Sequence, residues 1–98
     1  MNELNKDQAA ILQILQEECA EVIQATSKVF RFGLFDTHPD TPSKTNTRHL
    51  EEELGDVLAM IELLDSHKVI SYNNVIQFKQ RKFDKLRTWS EIDVDYKG

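Results

Sequence analysis

Four acidic residues occupy inward-facing positions in two helical segments of the sequence. Glu18 and Glu21 are three residues apart, and so are Glu53 and Asp56. Because an α-helix turns about 100° per residue, each pair lies on one side of its helix. Each pair also borders an apolar stripe. A carboxylate that turns toward a core is costly unless it is paired or binds metal. The four side chains therefore predict a common site that cations neutralise.

The donor atoms of this predicted site are all carboxylate oxygens, which hard divalent ions prefer. We expect Mg²⁺, with Mn²⁺ as the alternative. Zn²⁺ is disfavoured because no histidine or cysteine is predicted on these faces, and the three histidines of the chain carry no predicted catalytic role. Bound Mg²⁺ keeps waters and takes phosphate oxygens as ligands. The site therefore predicts metal-assisted hydrolysis of a phosphoanhydride.

Three basic residues are candidates for binding the phosphates of a substrate. Lys79 lies within the apolar stripe of the last helical segment and Lys82 lies at its edge, where either charge would suit a phosphate. The alternative for both is a lysine whose stem lies along a helix edge. Arg31 could clamp a phosphate, but a basic residue in the last turn of a helix also suits the helix dipole, which is the interpretation we favour.

Three amphipathic helices position these residues. They are predicted over about 6–30, 47–66 and 72–88, from apolar residues at three- and four-residue steps. The predicted caps are Asn5, Asn46 or Thr47, and Ser71. Residues 33–47 hold both prolines and are predicted as a long loop with room for a short helical turn, and 90–98 as a tail. Antiparallel packing of the first two helices would bring the carboxylate pairs face to face.

The composition predicts one all-α domain over 1–98, an antiparallel helical bundle that assembles into a larger oligomeric bundle. With 98 residues, of which 40% are hydrophobic, the core is modest and spare apolar surface remains. The net charge of −5 disfavours nucleic acid as a partner. No apolar run is long enough to span a membrane, and the first residues lack the order of a signal peptide. A single cysteine fits a reducing compartment, so a cytoplasmic location is expected.

The two acidic motifs also carry a resemblance to a known family. Segment 17–21 reads Glu-Glu-x-x-Glu, and segment 53–56 reads Glu-x-x-Asp. In this order they resemble the motifs of MazG-like members of the all-α nucleoside triphosphate pyrophosphohydrolase superfamily. The likeness extends to segments 27–33 and 82–86 and covers most of 8–89.

The resemblance implies an enzyme that hydrolyses nucleoside or deoxynucleoside triphosphates to monophosphate and pyrophosphate with Mg²⁺, in nucleotide-pool housekeeping. It makes Glu18, Glu21, Glu53 and Asp56 the metal ligands. It makes Glu17 and Glu18 the catalytic residues, with Glu17 either supporting the metal ligands from behind or orienting the attacking water. It implies a homodimer or homotetramer. Two alternatives stay open: a dUTPase-like or phosphoribosyl-ATP pyrophosphohydrolase-like enzyme, and a non-catalytic helical module that senses nucleotides or mediates oligomerisation.

Overall fold

The structure is a computed structural model that describes residues 3–98. It has three helices and a small two-stranded sheet, so the predicted helical fold is confirmed. In chain order the elements are α1 (Lys6–Phe32), β1 (Thr37–His38), β2 (Thr41–Thr45), α2 (Asn46–Ser66) and α3 (Tyr72–Trp89). Within these residues, no helix is long and apolar enough to cross a membrane.

Helix α1 begins and ends where local chemistry predicts. The side chain of Asn5 accepts a hydrogen bond from the Gln8 N–H at 2.8 Å, and the Gln8 side chain accepts one from the Asn5 N–H at 3.0 Å. This reciprocal capping box satisfies two N–H groups that the helix leaves free. The helix continues to Phe32, slightly further than predicted, and stops at Gly33, whose φ of 93° favours glycine.

Within the predicted loop, residues 37–45 form an antiparallel β-hairpin rather than the short helical turn for which there was room. Thr37 pairs with Thr45 and His38 with Thr41, with an irregularity between the two pairs. A two-stranded hairpin is only marginally stable alone. Here the backbone N–H of Asn46 donates to the Asp36 carbonyl at 3.0 Å. The hairpin is thereby fixed to the start of α2.

Helix α2 is capped one residue earlier than predicted. The side chain of Thr45, the last residue of β2, accepts a hydrogen bond from the Arg48 N–H at 3.1 Å. At the other end of α2, the Gln8 side chain donates to the His67 carbonyl at 2.8 Å. The start of α1 therefore lies beside the end of α2, and the two helices pack antiparallel as predicted.

The core of a single chain is small. Within residues 3–98, the only buried hydrophobic residues are Ile11, Ala25 and Leu64, all from α1 and α2. Cys19, interpreted from the sequence as a small core residue, is exposed. The radius of gyration is 16.6 Å, compared with about 13 Å for a compact domain of 100 residues. One chain therefore leaves much of its apolar surface uncovered.

Helix α3 adds little to this core. Ser71 caps it as predicted, and its side chain accepts a hydrogen bond from the Asn74 N–H. No residue of α3 is buried, and the helix makes few contacts with α2. The tail returns to α3, where the Arg87 guanidinium donates to both carboxylate oxygens of Asp95 at 2.9 and 3.4 Å. The α1–α2 pair is thus the packed unit, and α3 does not complete a bundle within one chain.

Candidate metal centre

The predicted carboxylates converge between α1 and α2. Oxygen atoms of Glu18, Glu53 and Asp56 all lie within 4.8 Å of one another. A second group joins Glu21, His49 and Glu53 within the same distance. Glu53 belongs to both groups, so the other three predicted ligands and His49 surround its carboxylate. We call these five side chains the acidic cluster.

Helical register places the cluster at the helix–helix contact. On α1, Glu18 stands one turn before Val22 and two turns before the fully buried Ala25, all on the inward face. On α2, Leu54 is 45% exposed, whereas the side chain of Glu53 is only 14% exposed. At the contact between α1 and α2, Glu53 therefore faces inward, whereas the apolar Leu54 next to it in sequence faces outward.

Electrostatics within the cluster is unfavourable without an added cation. Removal from solvent raises the pKa of Glu18, and the nearby carboxyl groups of Asp56 and Glu53 raise it further. No lysine or arginine in residues 3–98 forms an ion pair with any of the four carboxylates. Because these oxygens come from two helices and lack a compensating charge, the donor set fits a divalent cation such as Mg²⁺ or Mn²⁺.

His49 is the member of the acidic cluster that sequence reasoning missed. Its Nε2 lies 3.3 Å from Oε1 of Glu53, and its side chain is 20% exposed. The prediction that no histidine shares this face was therefore wrong. The spacing of four residues between His49 and Glu53 is the signal that could have found it, since such residues are neighbours on a helix. An imidazole beside carboxylates also widens the range of fitting ions toward Mn²⁺ and Zn²⁺.

Gly55 lies between Glu53 and Asp56 in the sequence of α2, at an exposed position. A Cβ atom built at Gly55 would meet nothing within 4 Å. No neighbouring group of the same chain therefore requires glycine here. The predicted approach of a ligand or a partner helix at this position stays a prediction.

The other predicted site residues are exposed, and within residues 3–98 none of the three basic ones forms an ion pair with the cluster. Lys79 and Lys82 are exposed on α3. The guanidinium of Arg31 lies 4.8 Å from the centre of the Phe32 ring, a cation–π contact. Glu17 is exposed beside Glu18. Their roles in binding and catalysis stay predictions.

A cavity of about 360 Å³ lies next to the cluster. The end of α1, the β-hairpin and the start of α2 enclose it. Its lining is Lys28, Phe32, Asp36, Thr37, His38, Pro39, Thr41, Lys44, Thr45, Asn46 and His49. His49 belongs to both the cavity and the acidic cluster. Sequence reasoning could not find this cavity, because it exists only once the hairpin folds back over the helices.

The structure is therefore that of a mostly helical protein, in which two antiparallel helices bring carboxylates together in a candidate divalent-metal centre. The family model of the MazG nucleotide pyrophosphohydrolase domain matches residues 6–87. The chain belongs to this family, and the match takes in α1, the hairpin, α2 and nearly all of α3. Searches of curated proteins and of solved structures found no match.

Proposed function

We propose that this protein hydrolyses nucleoside or deoxynucleoside triphosphates to the monophosphate and pyrophosphate, with Mg²⁺ or alternatively Mn²⁺. The observation that carries the proposal is the convergence of Glu18, Glu53 and Asp56 oxygens within 4.8 Å on a chain of the MazG family. Nucleotide-pool housekeeping in the cytoplasm is the role that fits this activity.

The acidic cluster would supply the metal ligands, and Glu17 and Glu18 would act in catalysis beside them. Glu18, Glu21, Glu53 and Asp56 would hold the metal, which when bound links phosphate oxygens to the protein and lowers the pKa of a coordinated water. Glu18 would also have a catalytic role in placing the attacking water. Glu17, beside it on α1, would orient the attacking water. Attack at phosphorus then separates monophosphate from pyrophosphate.

Positive charge for the leaving pyrophosphate would come from Lys79, Lys82 and Arg31. The two lysines are exposed on α3, which makes few contacts with the α1–α2 pair. We therefore propose that Lys79 and Lys82 of one subunit approach the acidic cluster of another subunit.

A homodimer or homotetramer is the assembly we propose. The apolar surface of one chain supports it, with Phe30 85% and Trp89 84% exposed. Isolated apolar side chains on a surface are ordinary, but large exposed patches mark interaction surfaces. Further large apolar side chains are exposed on α1, α2 and α3: Ile23, Leu58 and Phe78. A second copy would cover these faces and complete the small core.

The test is a pyrophosphate-release screen of canonical and modified nucleoside triphosphates, with and without Mg²⁺. We expect Mg²⁺-dependent release of pyrophosphate rather than single phosphate. Preference for dUTP or phosphoribosyl-ATP would point to the alternative enzyme classes. Tight nucleotide binding without turnover would point to a sensing module, and no turnover of any nucleotide would refute the proposal.

A matched pair of variants links the activity to the cluster. Glu53→Gln should reduce kcat by about 100-fold or more, because the carboxylate shared by both ligand groups loses its charge. Glu51→Gln changes the same residue type at an exposed position of α2 and should leave activity unchanged. Circular dichroism should show the same helix content in both. Full activity in Glu53→Gln would remove Glu53 from the ligand set.

A further inference from the structure

We propose that the cavity between the end of α1, the β-hairpin and the start of α2 receives the nucleoside part of the substrate. This inference rests on the proposed function of the acidic cluster as the metal centre that holds the phosphates. The hairpin would then act as the wall that contacts base and sugar.

The cavity adjoins the acidic cluster directly. His49 lines the cavity, and its Nε2 is 3.3 Å from Oε1 of Glu53. A single imidazole therefore stands between the cavity and the shared carboxylate. A nucleotide whose phosphates are held at the cluster would have the cavity within reach of its sugar and base.

The spacing along α1 suits a nucleotide. Lys28 in the cavity wall follows Glu21 by seven residues on the same helix. Seven residues correspond to about 10.5 Å along the axis and to nearly the same helix face. The phosphates and sugar of a nucleotide can extend over such a length.

The lining favours a nucleoside over a second phosphate group. Phe32 and Pro39 give apolar walls, and Thr37 gives a polar group near them. Small-molecule sites are of this kind, mostly apolar with a few polar groups, at about 300–1,000 Å³. Among its two lysines, Lys44 is 2.8 Å from Glu52, and no ion pair within residues 3–98 involves Lys28.

The ammonium of Lys28 therefore has no carboxylate partner within residues 3–98 and can donate hydrogen bonds to a nucleoside. Lys28 would donate to the sugar hydroxyl or ring oxygen, and the apolar walls would contact the base. The cavity therefore predicts that the monophosphate product binds through the hairpin, whereas pyrophosphate binds without it.

The experiment fills the cavity with a bulky side chain. Thr41 lines the cavity, whereas Ser43 in the same strand does not, and both are exposed hairpin residues. Thr41→Trp is the test variant and Ser43→Trp is its matched control, since tryptophan is accepted in strands. Lys28→Gln is a second test variant, with Lys85→Gln on α3 as its control. Calorimetry with Mg²⁺ measures binding of pyrophosphate and of the 2′-deoxynucleoside 5′-monophosphates of adenine, guanine, cytosine, thymine and uracil.

We expect at least one monophosphate to bind the unaltered protein and to bind Thr41→Trp about tenfold or more weakly, with about a fivefold loss in Lys28→Gln. Both controls should stay within about twofold, and so should pyrophosphate in every variant. If circular dichroism shows that Thr41→Trp does not fold, the monophosphate affinity of Lys28→Gln tests the inference instead.

Three results would overturn the inference: no monophosphate binding by the unaltered protein, unchanged binding by the folded test variants, or an equal loss for pyrophosphate. Failure of the proposed function gives a different pattern. In that case no triphosphate is turned over, while monophosphate binding still depends on Thr41. Conversely, the Glu53→Gln variant could lose turnover while Thr41→Trp still binds the monophosphate as the unaltered protein does. That result would support the proposed function and show that the cavity does not bind the nucleoside.

Discussion

The Nε2 of His49 lies 3.3 Å from the Oε1 of Glu53, one turn away along α2, and the two side chains are mostly removed from solvent. Glu53 also lies within 4.8 Å of Glu18, Asp56 and Glu21. The carboxylate of Glu53 therefore connects the acidic cluster to the wall of the cavity. Substitutions in and near the cluster should show which residues affect metal binding, which affect stability and which affect nucleotide binding.

Mg²⁺ should stabilise the folded protein. The metal would offset the repulsion that raises the pKa of Glu18, and a ligand at 100 times its Kd adds about 2.7 kcal/mol to the free energy of unfolding. For a domain of this size, that corresponds to a Tm increase of roughly 10–20 °C. Thermal denaturation with and without Mg²⁺ measures it. Asp56→Asn should lose most of the increase, and the exposed Glu62→Gln should retain it.

The metal-free protein should lose stability as the pH rises above the ordinary range of a glutamate. Burial and the neighbouring carboxyl groups raise the pKa of Glu18, so the folded state holds this proton more tightly than the unfolded state. Linkage then makes the free energy of unfolding fall between the ordinary and the raised pKa. Tm measured from about pH 4 to 7 should show Glu18→Gln becoming more stable than the unaltered protein as the pH increases. A Tm difference between the two proteins that stays constant across this pH range would show that the pKa of Glu18 is not raised in the folded protein.

His49 should tune the choice of metal. Imidazole nitrogen suits Mn²⁺ better than Mg²⁺, which prefers oxygen. His49→Ala should therefore weaken Mn²⁺ binding by about tenfold and change Mg²⁺ binding less. Calorimetric titration of both ions measures the ratio of affinities. His67→Ala, outside the cluster, is the control, and an unchanged Mn²⁺ affinity in His49→Ala would show that His49 plays no part in metal choice.

Gly55→Ala separates a structural role from a functional one. A Cβ at this position meets nothing within 4 Å, and alanine is favoured over glycine in a helix by about 1 kcal/mol. The variant should raise the free energy of unfolding by up to that amount, measured by urea denaturation. Lower activity in this more stable protein would indicate that a ligand or a partner helix comes close to Gly55. Unchanged activity would show that neither needs the space that the glycine leaves.

Much of the helical structure was predictable because it depends on neighbours in sequence. The side chains of Asn5 and Ser71 cap helices, and Gly33 ends one, through contacts spanning a few residues. The inward positions of Glu18 and Glu53 follow from helical periodicity for the same reason. Glu53 and Leu54 are consecutive in sequence and about 100° apart around α2, and packing against α1 decided that Glu53 is turned inward and Leu54 is left exposed.

The β-hairpin shows where sequence reasoning failed. Prolines and short polar residues in 33–47 predicted a loop, yet the pairing of Thr37 with Thr45 forms a hairpin that is tied to α2 through Asp36 and Asn46. A marginal hairpin takes its stability from what it rests on. Its presence, and the cavity beneath it, therefore depended on contacts that no local pattern records.

The sequence by itself determined three capped helices and the three-residue spacing of the two carboxylate pairs, because periodicity and capping act within a few residues. It also carried the motifs of the MazG family to which the chain belongs. It did not determine that Asp56 stays exposed at the edge of the cluster. Only the tertiary structure decided that His49 joins Glu53, that a cavity adjoins the cluster, and that Lys79 and Lys82 remain exposed on α3. These depend on how separate elements pack, and packing between distant segments is set by the whole fold rather than by spacing along the chain.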